Sequence, residues 1–126
     1  MTAIPSMVAP GTRVVDELRR LRRFPGVTGT VAASVDGLVL AAEIGSTDPG
    51  PFAALMASTF ALAERLATLT SSTTIQELVV RTDGGYVVLN AVNEFTVMAV
   101  IGDLSLNLGR IKIELRDAIA AIGDQP

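Results

Sequence analysis

Two Asp-Gly turns, each set between runs of small and β-branched residues, restrict the possible folds of this chain more than any other feature. In "GVTGTVAASVDGLVLAAE" the turn is Asp36-Gly37; in "IQELVVRTDGGYVVLNAV" it is Asp83-Gly84-Gly85. Asp-Gly suits a tight turn that needs positive φ, and strands joined so closely can only pair antiparallel. Asn93-Glu94 marks a further turn into "FTVMAVIGD", a third strand of the second meander. From Phe95 to Ile101 both alternating faces are apolar apart from Thr96, so that strand is expected at the centre of the sheet, covered on both sides. The helices must then be divided between the two faces.

Three helices are legible around these strands. Val14, Leu18 and Leu21 fall at helical spacing, and "FPG" at Phe24 to Gly26 ends the run. Pro51 to Leu69 reads as a second helix, with Asp48 as its cap and Pro49 and Pro51 at its start. A last helix is expected from near Ser105 to Gly123, with Leu108, Ile111, Leu115, Ile119 and Ile122 on one face. The order is helix, two strands, helix, three strands, helix. It implies an α+β fold with a single five-stranded antiparallel sheet and helices on both faces. One domain is expected over 12–122, with a loose or extended tail at 1–11 and a short tail at 123–126.

Composition removes whole classes of chemistry. The chain has 126 residues, 49% of them hydrophobic and 18% charged, which is a globular composition able to bury one core. A net charge of −3 argues against nucleic acid as a partner. With no cysteine there is no disulfide, thiol nucleophile or thiolate metal site, and with no histidine the Ser-His-Asp and Cys-His arrangements are gone. No GxxxxGK[ST] loop occurs, and "DGG" at Asp83 to Gly85 reads as hairpin geometry rather than a phosphate cradle. The carboxylates are scattered, without metal-ligand spacing, so neither metal nor cofactor is expected and the chain is not read as an enzyme. "MTAIPSMVAPG" lacks the basic start of a secretory signal. The longest charge-free run, Pro49 to Ala63, is too short to span a bilayer, which predicts a soluble, cytoplasmic protein without membrane insertion.

The middle helix is unusually apolar, with Glu64 and Arg65 its only charged side chains. On a helical wheel Phe52, Leu55, Met56, Phe60, Leu62, Leu66 and Leu69 gather on one half, which is expected to face the sheet. The other half holds Ala53, Ala54, Ala57, Ser58, Ala61, Glu64, Arg65 and Thr68. Small residues at this spacing let a second helix approach closely, so Ala54, Ala57, Ser58 and Ala61 are candidate dimer contacts. The plainer reading is that alanine is the best helix former and tolerates a solvated face. Both readings stand on the sequence alone.

The segment "PGVTGTVAASVDGLVLAAE" resembles the opening hairpin of the roadblock family, named for dynein light-chain roadblock. The likeness is carried by Pro25, Gly26, Val27, Gly29, Ser34, Asp36, Gly37, Leu38 and Ala41, and "NLGRIKIELRDAIAAI" resembles the family's closing helix. The resemblance covers about Thr12 to Ile122 and rests on the combination, because Asp-Gly hairpins are common. It implies a roadblock/profilin-like layout with the first and last helices on one face and the middle helix on the other. It also implies a homodimer that pairs middle helices and joins third strands (about Thr74 to Thr82) edge to edge, which adds Ile75 and Leu78 to the dimer candidates. Bacterial members are often partners of small Ras-like GTPases, and some resemble parts of sensor-kinase-linked assemblies.

The resemblance therefore implies a regulator or adaptor of a small Ras-like GTPase, with Glu64, Arg65 and Thr68 at the exposed edge of the paired helices as partner-binding candidates. Were hydrolysis stimulated, an inserted arginine or the holding of the partner's own residues would be the means. Arg65 and Arg81 are candidates by position, though each also reads as an ordinary surface arginine. The "RRLRR" run could meet an acidic partner or anionic lipid, or simply face water with Asp16 and Glu17 as local pairs. Ile113 lies off the apolar stripe of the last helix and could mark a contact patch. A plain scaffold without effect on nucleotide turnover is the alternative. A small-molecule sensor is disfavoured by only four Phe, one Tyr and no Trp or His to line a pocket.

Overall fold

The computed structural model describes residues 12–71 and 74–123. The expected N-terminal tail, and all of the C-terminal one except Gly123, lie outside the described residues. The elements are α1 (Thr12–Arg22), β1 (Val27–Ser34), β2 (Val39–Glu43), α2 (Pro49–Ala67), β3 (Glu77–Thr82), β4 (Gly85–Asn93), β5 (Thr96–Asp103) and α3 (Leu108–Ile122). All strand pairs are antiparallel, in the order β2-β1-β5-β4-β3. As its two-sided apolar run requires, β5 is central, and Thr96 to Val100 are all buried.

The strand period of two sorts each strand's side chains onto opposite faces. On one face, Ala32, Val88, Val92, Met98 and Val100 meet Val14, Leu18 and Leu21 of α1 and Ile111, Leu115, Ala118 and Ile122 of α3. On the other, Val31, Ala33, Leu89, Val97 and Ala99 meet Ala53, Met56 and Phe60 of α2. The expected division, with the outer helices on one face and the middle helix on the other, is the one observed.

Turn chemistry fixes where the strands end. Gly37 supplies the positive φ (+91°) expected of the first hairpin. Gly26 also has positive φ (+86°), and an added Cβ there would lie 2.7 Å from the backbone of Leu106, so the "PGV" glycine permits a close crossing of two chain segments. The last helix begins at Leu108 rather than near Ser105. Asp103 Oδ1 accepts from the backbone N and hydroxyl of Ser105, holding that stretch as a turn. Asn107 then caps the helix by accepting from Arg110 N at 3.0 Å. The third strand likewise starts at Glu77 rather than about Thr74.

The main correction concerns α2. The residues it buries are Ala53, Met56, Ala57 and Phe60. Leu55, Leu62, Leu66 and Leu69, expected on the sheet, are 69%, 60%, 67% and 82% exposed. The cause is steric. The sheet face beneath α2 combines Val31, Ala33, Val97 and Ala99 with Leu89, and Ala53, Met56 and Phe60 are the buried α2 residues packed on it. The division of the wheel by side-chain size places Phe52, Met56 and Phe60 on the sheet as observed, but puts the four leucines there too and leaves the buried Ala53 and Ala57 in the outer half. Ala57, a candidate dimer contact, is buried within its own chain and drops out of that surface.

Candidate functional site

Local chemistry sets α2 firmly in place. Asp48 accepts from Gly50 N at 3.0 Å as N-cap, and Pro49 occupies the first turn, where a missing N–H costs nothing. At the other end the Thr68 hydroxyl donates to Arg65 O at 2.6 Å and closes the last turn. Leu55, Leu62 and Leu66 between these caps, and Leu69 in the turn just past Thr68, recur at the spacing of a coiled-coil seam, with Thr59 completing it. Isolated exposed leucines are ordinary, but a continuous row of four is not. Full burial of each would contribute about 1.5–3 kcal/mol.

This row borders the sheet edge. Among the described residues β3 pairs only with β4, which leaves it at the edge of the sheet. Phe52, Leu55, Met56, Thr59, Val80, Val87 and Leu89 line a shallow apolar cleft of about 160 Å³ between α2 and β3–β4. Val80 stands 39% exposed on the β3 side of it. Leucine row, cleft and open strand edge form one surface. It offers apolar side chains for a helix and backbone donors and acceptors for a strand.

The residues singled out from sequence divide around this surface. Ala54, Ser58 and Ala61 are exposed on the opposite flank of α2, toward the β1–β2 turn, where a Cβ on Gly37 would lie 3.2 Å from Ala54 Cα. Arg65 and Thr68 are exposed on α2's outward side, and Glu64 is half-buried. Ile75 and Leu78 are half-buried, packed against the core beneath α2. Arg81 lies over the Tyr86 ring, 5.9 Å from its centroid. Ile113 is exposed, as expected. The leucine row itself was missed by sequence reasoning, although its seam spacing was there to be read.

A charged cluster elsewhere is a structural clasp. Glu114 on α3 accepts from Arg20 of α1 at 2.8 Å and from Arg110 at 2.9 Å, and both guanidiniums flank the Phe24 ring. Hydrogen bonds from Arg20 and then Arg110 hold the Glu114 carboxyl below the ordinary glutamate range. The "RRLRR" run is largely absorbed in such contacts: Arg19 pairs with Glu43, Arg20 also with Glu17, and Arg22 donates to Val27 O. Among the described residues no group of three or more Asp or Glu could hold a metal ion, and no helix is long and apolar enough to cross a membrane.

Comparison with known proteins agrees with this architecture. The family model for the Roadblock/LC7 domain matches residues 14–102. An uncharacterized protein of Methanocaldococcus jannaschii, MJ1340, is 28% identical over 106 residues, covering 83% of this chain and 92% of the relative. Among solved structures, MglB with a tetrameric arrangement superposes with a TM-score of 0.80 at 25% identity, covering 90% of this chain and 88% of that one. The gliding protein MglB from Thermus thermophilus gives the same TM-score of 0.80 and the same coverage at 24% identity.

Proposed function

The chain belongs to the Roadblock/LC7 domain family, and from that premise we propose that it is a homodimeric partner and regulator of a small Ras-like GTPase. The observation that carries the reading is the leucine row of α2 beside the open edge of β3. Two copies related by a twofold axis would lay row on row and edge on edge, burying both at once. The same contact removes the aggregation hazard of an unprotected edge strand.

Pairing through the leucine row leaves the opposite flank of each α2 at the surface. Ala54, Ser58 and Ala61 then form a shallow strip with Arg65 and Thr68 at one end, and this strip is the assigned GTPase contact. The reading as a regulator rests on the family resemblance, and the likeness to MglB in its tetrameric arrangement supports self-association. The chain contributes binding and positioning, and the nucleotide chemistry belongs to the partner. Bacterial cytoplasmic signalling, with sensor-kinase-linked proteins as further partners, is the setting this reading implies.

Two measurements test it. Light scattering on the purified protein should give the mass of two chains; a monomer at micromolar concentration would remove the homodimer. A pull-down from native extract, run with a slowly hydrolysed GTP analogue and with GDP, should retain a small GTPase in one nucleotide state. Retention of other proteins with no GTPase in either lane would leave a scaffold instead.

A further inference from the structure

On the face that meets α1 and α3, β4 presents Val88, Asn90 and Val92, so an amide stands where the strand's pattern calls for a third apolar side chain. Asn90 is 7% exposed. The buried Thr30 hydroxyl is satisfied, donating to Leu18 O at 3.0 Å. Among the described residues, Asn90 Oδ1 is the buried side-chain atom that has no hydrogen-bond partner. An acceptor left in that state is costly, and an apolar side chain of similar size would avoid the cost.

Asn90 lines a cleft of about 520 Å³ between α3 and the β3–β4 pair. Its cross-strand partner Glu77 shares its face and forms part of the β3 wall. Arg116, Ile119 and Ala120 of α3 line the other side. Lys112 Nζ meets Glu77 Oε2 at 3.1 Å and ties α3 to β3 beside the cleft. Arg116 lies one helical turn further on, is exposed, and has no ion-pair partner among the described residues. The cleft therefore combines an unpartnered amide oxygen and a carboxylate on the strand side with an unpaired guanidinium and aliphatic surface on the helix side.

We propose that this cleft binds a free α-amino acid with an aliphatic side chain. The ammonium meets Asn90 Oδ1 and the Glu77 carboxylate, the carboxylate meets Arg116, and the side chain lies on Ile119 and Ala120. The amide torsion of asparagine is soft, so Asn90 turns its oxygen toward the guest without moving the strand. An ammonium carries three donors, enough for both strand-side acceptors, and a guanidinium fork suits a carboxylate. A plain anion would engage Arg116 and leave Asn90 Oδ1 as it is. A plain cation would meet Lys112 and Arg116 with nothing to offset them. The cleft lies on the α3 face of the sheet and α2 on the other, so the proposal does not depend on the GTPase reading.

The test is an NMR titration of the isotope-labelled full chain with L-valine. The Asn90 side-chain amide signals and the backbone signals of Ile119 and Ala120 should shift and saturate at millimolar ligand. Isovalerate, which lacks the ammonium, and isobutylamine, which lacks the carboxylate, should each bind at least about tenfold more weakly. Arg116→Ala, at an exposed position, should weaken valine binding by a similar factor. Asn90→Val should abolish binding yet melt no lower than wild type, because it removes the unpartnered acceptor. Absence of a saturable shift, equal binding of either truncated analogue, or unaltered binding to Arg116→Ala would each overturn the proposal. So would an Asn90→Val protein that melts well below wild type, since the amide would then serve the fold rather than a ligand.

Discussion

Arg20 of α1 donates to Glu114 of α3 at 2.8 Å, closing the seam between the two helices that share one face of the sheet. Arg110 reaches the other carboxylate oxygen at 2.9 Å. These hydrogen bonds depress the Glu114 pKa, so the stability it contributes is present above the unfolded-state value and lost as pH falls through the folded one. The melting temperature should therefore fall on acidification below about pH 4.3, the ordinary glutamate value. Glu114→Gln should melt lower at neutral pH and show a shallower acid dependence. Parallel curves for the two proteins would show that the clasp contributes nothing through ionisation.

Gly26 is where the chain leaving α1 crosses the segment leaving β5, and its carbonyl accepts from Asp103 N at 2.9 Å. Gly26→Ala would place Cβ against Leu106 backbone and impose a positive φ on an L side chain. A loss of at least about 1–3 kcal/mol is expected, read as a lower denaturant midpoint. An unchanged midpoint would mean that the crossing relaxes freely. Gly45→Ala provides the contrast, since that glycine also has positive φ but no atom within 4 Å of the added Cβ.

Opposite outcomes are expected from arginine at two positions of α2. Leu62→Arg alters a side chain that is 60% exposed and should give a folded monomer by light scattering. Ala57→Arg forces a long cation into a site that is 6% exposed and should lower the melting temperature sharply, whatever the association state. A folded dimer carrying Leu62→Arg would move the proposed twofold contact off the leucine row.

How much of this was legible in the sequence follows from which signals are local. Turn residues act within a few positions, so Asp36-Gly37, Asp83-Gly84 and the Asp48 cap marked their elements directly. The two-sided run at Thr96 to Val100 announced the central strand, because no one-sided strand has that pattern. The orientation of α2 was not legible in the same way. A helix apolar all round gives no polar face to mark solvent, and which half anchors depends on the space above Val31, Ala33, Val97 and Ala99, a property of strands distant in sequence. The start of α3 was hidden for a smaller reason: Ser105 and Asn107 both suit a cap, and Asp103 engages the first of them.

Arg65 provides the test that separates binding from chemistry. It is exposed on α2, one turn from the Thr68 cap, beside the strip proposed as the GTPase contact. As a surface contact at the rim of that strip it is worth up to about 1 kcal/mol, roughly fivefold in affinity. Arg65→Ala should therefore raise the concentration needed for half-maximal effect on GTP turnover by that factor or less, with the rate at saturation unchanged. An arginine inserted into the nucleotide site behaves differently, because it stabilises charge that develops only in the transition state. Its removal lowers the saturating rate by about 10³-fold or more, and lysine does not restore it. Measuring turnover across a full titration of wild type, Arg65→Ala and Arg65→Lys distinguishes the two. A collapse of the saturating rate in both variants would reassign Arg65 from contact to catalysis.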